Sequence, residues 1–145
     1  MRITVLTHAE SDKASAKDFD EVVPQVARAL RRLGHRVSTL GVHTDVRRMF
    51  AGLSRRKPDL VFNLAEMYGD NVSGDMLIAA LLETRELRYT GSGPGELYLS
   101  QDKGLSKKLL EYEGILYPKF AVFSKTASDF ETGGNLRMPL FVKPL

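Results

Sequence analysis

The chain has 145 residues, of which 43% are apolar and 27% charged, and a formal net charge of +3. That length holds one compact domain, or one domain and the start of another, and the composition is that of an ordered soluble protein. With no cysteine in the sequence, disulfides, thiolate catalysis and cysteine-held zinc are excluded.

Residues 2–7 are short, apolar and β-branched, and read as a buried strand. A polar stretch follows over residues 8–18. Phe19, Val22, Val23, Val26, Leu30 and Leu33 then recur at helical spacing, with Asp18 placed as N-cap and Gly34 as the stop. Residues 35–42 make a second strand. Thr44 is placed to cap a second helix with Val46, Met49, Phe50 and Leu53 on its inner face, broken at Lys57-Pro58-Asp59. Residues 60–64 form a third strand, apolar almost throughout, as suits a strand covered on both faces. Beyond a polar loop at 65–74, Ser73 is placed to cap a third helix over 75–83, apolar nearly all round and so well buried. Residues 87–90 give a fourth strand, and Gly91-Ser92-Gly93-Pro94-Gly95 a pronounced turn.

Strands alternating with helices predict right-handed βαβ units, a parallel sheet and the α/β class. Ligands on such sheets bind beyond the carboxyl ends of the strands, here the loops at 8–18, 43–44, 65–74 and 91–95. After Gly95 the pattern changes. Residues 100–113 read as a helix with Leu105, Leu109 and Tyr112 on one face, ended by Gly114. Strands at 119–123 and 140–143, either side of a polar stretch, predict an antiparallel hairpin. The domain boundary falls near residues 97–101.

Basic residues cluster at Arg28, Arg31, Arg32 and Arg36, and again at Arg47, Arg48, Arg55, Arg56 and Lys57. Without interleaved aromatics they read as the solvated faces of amphipathic helices, so no nucleic-acid partner is expected. His8, His35 and His43 have no partner at metal-ligand spacing. No segment approaches the ~20 apolar residues of a membrane span, and the apolar run after Met1 is too short for a secretory signal. The expected location is the cytoplasm, with no membrane partner.

There is no GxxxxGK(S/T) phosphate loop and no GxGxxG after the first strand. The Gly91–Gly95 segment could offer backbone N–H groups to an anion, or be only a turn. Lys103 and Lys107 share a helix face. Lys143 follows Phe141 and Val142, and a lysine in an apolar run is unusual. An anionic ligand explains it, as does an edge strand whose lysine reaches solvent.

Taken in order, Tyr89-Thr90-Gly91-Ser92, then Asp102-Lys103 with Lys107, then Pro139-Leu140-Phe141-Val142-Lys143-Pro144 resemble the ATP-grasp ligases, and within them the D-alanine–D-alanine ligase group. Asp59-Leu60-Val61-Phe62-Asn63 before an acidic, glycine-containing loop is similar as well. The resemblance runs from Met1 to Leu145. It implies a three-layer parallel-sheet domain (pre-ATP-grasp, Rossmann-like) over residues 1–97 on the substrate side. Residues 98–145 would begin an α+β ATP-grasp domain as helix plus hairpin. It implies ATP and Mg²⁺, a small amino-acid-like substrate, and a carboxylate activated as acyl phosphate and joined to an amine, as in peptidoglycan synthesis. A homodimer is a further expectation.

Carried over by position, Lys103 and Lys143 would face the nucleotide phosphates. Two departures concern the substrate. The group's first loop has a glycine pair, a serine and a glutamate, where this chain has Thr7-His8-Ala9-Glu10-Ser11-Asp12. Its third-strand loop has a histidine, where this chain has Leu64-Ala65-Glu66-Met67-Tyr68-Gly69-Asp70. Glu10 and Glu66 are the substrate-side candidates. The magnesium carboxylates and the phosphate loop would lie beyond Leu145, so the chain alone is expected to be inactive. The alternatives are a non-catalytic α/β module that binds a nucleotide or partner, and an ATP-grasp ligase making another amide.

Overall fold

The computed structural model describes residues 1–11, 14, 18–71, 73–123 and 136–143. Its elements in chain order are β1 (Arg2–His8), α1 (Val22–Arg32), β2 (Arg36–Val42), α2 (Val46–Arg56), β3 (Leu60–Leu64), α3 (Gly74–Glu83), α4 (Pro94–Gln101) and α5 (Lys103–Tyr112). The chain divides into two compact units, Met1–Leu97 and Tyr98–Leu145.

In the first unit the three strands form a parallel sheet in the order β2-β1-β3. Alternation along β1 sends successive side chains to opposite faces. Leu6 joins Leu40, Val42 and Val61 of the sheet, Met49 and Leu53 of α2, and Ile78 and Leu82 of α3. Val5 joins Val23 and Ala27 of α1, with Phe19, Leu30, Val37 and Phe62 packed around them. The central strand is therefore covered on both faces, which is why residues 3–7 are all buried.

The expected fourth strand contracts to a single parallel bridge between Val61 and Tyr89. Val61 N–H donates to Arg88 O at 2.8 Å and Thr90 N–H to Val61 O at 3.0 Å. The next rung is made by a side chain, Asn63 N–H donating to Thr90 Oγ1 at 3.0 Å. Gly91 then turns the chain with φ 104°, a left-handed angle that ends the ladder.

The helix starts also differ from the sequence reading. Helix α1 begins at Val22, whose N–H donates to Asp20 Oδ1 at 2.8 Å, and not at a cap on Asp18. Helix α2 is capped by Asp45, not Thr44, through Arg48 N–H at 2.8 Å. Ser73 makes no side-chain cap on α3; Asn71 Oδ1 takes the Ser73 N–H at 2.9 Å. The helix expected at 100–113 occurs as α5, and a separate helix, α4, precedes it. They break at Asp102, whose carboxylate accepts Leu105 N–H at 2.8 Å and starts α5 afresh. Pro94 opens α4, where its missing N–H costs nothing.

No strand occurs at 119–123 or 140–143, and residues 124–135, the middle of the expected hairpin, lie outside those described. A lone hairpin is marginal without a third strand or a covering helix. The apolar run before Lys143 is open to solvent, with Phe141 94% and Val142 93% exposed.

Strand β2 is an edge, and its unpaired peptide groups invite another chain. Arg36 N–H donates to Met1 O and Ala9 N–H to Val42 O, so residues 37, 39 and 41 face outward. Arg31 of α1 donates to Val37 O at 3.1 Å, and Arg56 of α2 to Thr39 O at 3.0 Å. A Cβ on Gly41 would stand 2.7 Å from the Phe19 ring. Arginines from both faces thus take two of the outward carbonyls, and one aromatic ring packs against Gly41. These members of the arginine clusters are structural.

The opposite flank is pinned by charge. Asp59, just before β3, accepts Arg2 N–H at 2.6 Å and the Arg2 guanidinium at 2.7 Å. The Arg2 hydrogen bonds hold the Asp59 carboxyl below its usual 3.8. Stability from the pair is therefore whole above that value and lost as pH falls through the folded value. The melting-temperature gap between the parent and Asp59→Asn should be full near neutrality and close on acidification. A gap that stays constant from about pH 7 to about pH 2 would show that the pair contributes no linkage.

Candidate functional site at the carboxyl edge of the sheet

Three strand exits meet at one edge. The β1–β2 ladder runs one residue past β1, with Ala9 N–H on Val42 O at 2.8 Å. This fixes His8 and Glu10 beside the start of the β2 exit. The β3 exit is tied to the β2 exit twice. Gly69 N–H donates to His43 O at 2.9 Å, and the Tyr68 hydroxyl donates to Thr44 O. Tyr68 and Asn71 close the turn by exchanging backbone hydrogen bonds.

Two glycines are required for this docking. Gly69 has φ 57°, and a Cβ there would lie 2.7 Å from Thr44 Cγ2. A Cβ on Gly74 would lie 2.3 Å from Tyr68 N, so the turn rests directly on the first residue of α3. Asn63 Oδ1 accepts Ala65 N–H at 3.2 Å and shapes the departure from β3.

Glu10 and Glu66 both lie at this edge, just past the ends of the adjacent strands β1 and β3. Both are exposed, and among the described residues neither side chain has a hydrogen-bond or ion-pair partner. At the ends of β1 and β2 the same edge carries a histidine pair absent from the site residues expected above. The rings of His8 and His43 meet edge to face, with centroids 5.8 Å apart. Both Nδ1 atoms are buried without a hydrogen-bond partner. The available signal was positional: each histidine follows an apolar strand run at its carboxyl end.

The Tyr89-Thr90-Gly91-Ser92 turn leaves the same side of the sheet. The Tyr89 hydroxyl donates to Glu83 Oε1 at 2.7 Å. Burial first, then this hydrogen bond and the charge of Glu83, push its pKa up to about 12. The phenol therefore stays protonated and anchors the turn to the end of α3.

The two candidate nucleotide lysines belong to the second unit. Lys103 is the first residue of α5, after the Asp102 cap, and Lys143 follows the open Phe141-Val142 run. Both are exposed, and no ion pair among the described residues engages either. Lys107, one turn further along the helix from Lys103, sets its ammonium 4.9 Å from the centre of the Phe120 ring.

The chain is 38% identical over 120 residues to a D-alanine–D-alanine ligase of Nitratidesulfovibrio vulgaris (strain DP4), covering 82% of this chain and 37% of that one. It is 31% identical over 126 residues to the ligase of the same name from Pelagibacter ubique, covering 83% and 39%. The chain resembles the D-alanine–D-alanine ligases. It spans well under half the length of these relatives. The crystal structure of D-alanine–D-alanine ligase from Bacillus anthracis complexed with ATP matches with a TM-score of 0.60. That match covers 90% of this chain and 43% of that one at 20% identity, and shows a shared fold. No protein-family model matches the chain.

Against the D-alanine–D-alanine ligase reading, the two substrate-side departures stand at the edge just described. Histidines occupy the ends of β1 and β2, and a tyrosine turn follows β3. No group of three or more potential metal ligands occurs among the described residues, so magnesium finds no carboxylate cluster there. No helix among them is long and apolar enough to cross a membrane.

Proposed function

We propose that this chain forms the substrate-side domain and the start of the nucleotide-binding domain of an ATP-dependent carboxylate–amine ligase. The single observation that carries this reading is the relatives' identity across four-fifths of the chain, supported by the fold of the ATP-complexed ligase. Residues 1–97 would present the amino-acid-like substrate at the carboxyl edge of the sheet, with Glu10 and Glu66 bordering it. Residues 98–145 would supply Lys103 and Lys143 to the phosphates of ATP, where fixed positive charge offsets the charge moving during phosphoryl transfer. Both ammonium groups are open and unpaired among the described residues, as a phosphate ligand requires.

Bound ATP would supply the phosphoryl group that turns a carboxylate into an acyl phosphate open to attack by an amine. This chain's own residues would bind and orient the substrate and the nucleotide. The test is phosphate release from MgATP by the full-length polypeptide that carries this chain, with and without a D-amino acid. Release that depends on the amino acid is the expected result. Release indifferent to it, or no release, overturns the ligase reading. By calorimetry, residues 1–145 alone should bind MgATP more weakly than micromolar.

A further inference from the structure

We propose that His8 and His43 form a carboxylate-binding subsite at the ends of β1 and β2. The proposal rests on the ligase reading only for which carboxylate arrives, that of the amino-acid-like substrate.

Their Nδ1 atoms are the full set of buried side-chain nitrogens and oxygens without a hydrogen-bond partner among the described residues. A buried polar atom left unpaired costs about 1–3 kcal/mol, so such atoms are normally removed or satisfied. Here both occur on touching rings, at the edge where parallel sheets take their ligands. The register sets them there: His8 pairs with Val42, and His43 is the next residue.

The ligand must offer hydrogen-bonding atoms to two neighbouring imidazoles. A carboxylate does so with two oxygens, and a histidine can carry the balancing proton. Helix α2, 11 residues long, begins three residues after His43 and points its positive end toward this edge. An ammonium is the poorer match. It needs a countercharge, and the nearby Glu10, Glu66 and Asp70 are all exposed, while the Asp45 carboxylate caps α2. The Tyr68–Asn71 turn is held to the β2 exit beside His43 by the Tyr68 hydroxyl and Gly69 N–H.

The experiment is nitrogen-15 NMR of the histidine side chains in the 145-residue chain, titrated with acetate, D-alanine and D-alaninamide. Acetate and D-alanine should shift Nδ1 of His8 and His43 and leave His35, at the opposite end of β2, in place. D-alaninamide, which keeps the amine and lacks the carboxylate, should shift none. His8→Phe and His43→Phe retain an aromatic edge and remove the nitrogens. Each should weaken the acetate response of the remaining histidine about tenfold or more and melt no lower than the parent. The proposal is overturned if neither carboxylate moves Nδ1, if the amide moves it equally, or if both phenylalanine variants melt well below the parent, since the histidines are then packing groups. No nucleotide is used, so failure here leaves the ligase reading intact, and failure of phosphate release leaves the subsite intact.

Discussion

Leu6→Ala should destabilise the amino-terminal unit by about 2–5 kcal/mol, among the largest effects of any single truncation in the chain. Leu6 lies on the central strand and is fully buried. It is surrounded by Leu40 and Val61 on the neighbouring strands and by Met49, Leu53, Ile78 and Leu82 on the two helices above. Those neighbours are held by a ladder on either side, so they cannot close around the missing methyl groups, and the cavity term adds to the lost transfer energy. For a unit of this size each kcal/mol lowers the melting temperature by roughly 4–8 °C. Leu33→Ala is the contrast. Leu33 is 72% exposed at the end of α1, and its loss should stay within about 0.5 kcal/mol. Thermal melts of the two variants separate the cases. A Leu6→Ala melt within a few degrees of the parent would mean that the core is not centred on β1.

The same residues explain what could be seen in advance. Residues 3–6 and 60–64 are apolar runs flanked by turn signals, and their strands follow from composition alone. Cap residues were harder, because Thr44 and Asp45 are adjacent and both cap well; only the backbone angle chooses Asp45. The fourth strand was overread since Tyr89 pairs once before Gly91 turns away, and periodicity does not carry the φ of a glycine. In the candidate site, Glu10 and Glu66 fell at the expected edge because topology places loop residues there. The His8–His43 pair did not emerge. Their 35-residue separation gives no local pattern, and only the parallel register of β1 and β2 brings the rings together. Lys143 was read as embedded in an apolar strand, yet Phe141 and Val142 find no cover among the described residues.

In the full-length polypeptide, the proposed phosphate role of the two lysines predicts that Lys103→Ala and Lys143→Ala each raise KM for ATP and lower kcat, with the melting temperature nearly unchanged. Phosphate oxygens gather negative charge around the transferring group, and a lysine aimed there acts as a fixed point charge. Comparable charge-stabilising donors are worth on the order of 2–4 kcal/mol of transition-state energy, which is roughly a 30- to 1,000-fold loss in kcat/KM. Folding should be spared because both side chains are exposed and unpaired among the described residues. Lys107 provides the control in the opposite sense. Its ammonium lies over the Phe120 ring, so Lys107→Ala should cost about 0.5–1 kcal/mol of stability and leave ATP turnover close to the parent. The measurement is steady-state phosphate release with a thermal melt on every variant. Wild-type turnover in Lys143→Ala, or a loss of activity that tracks unfolding, removes the phosphate role from that residue; a turnover defect in Lys107→Ala equal to that of Lys103→Ala removes the distinction between the two helix positions.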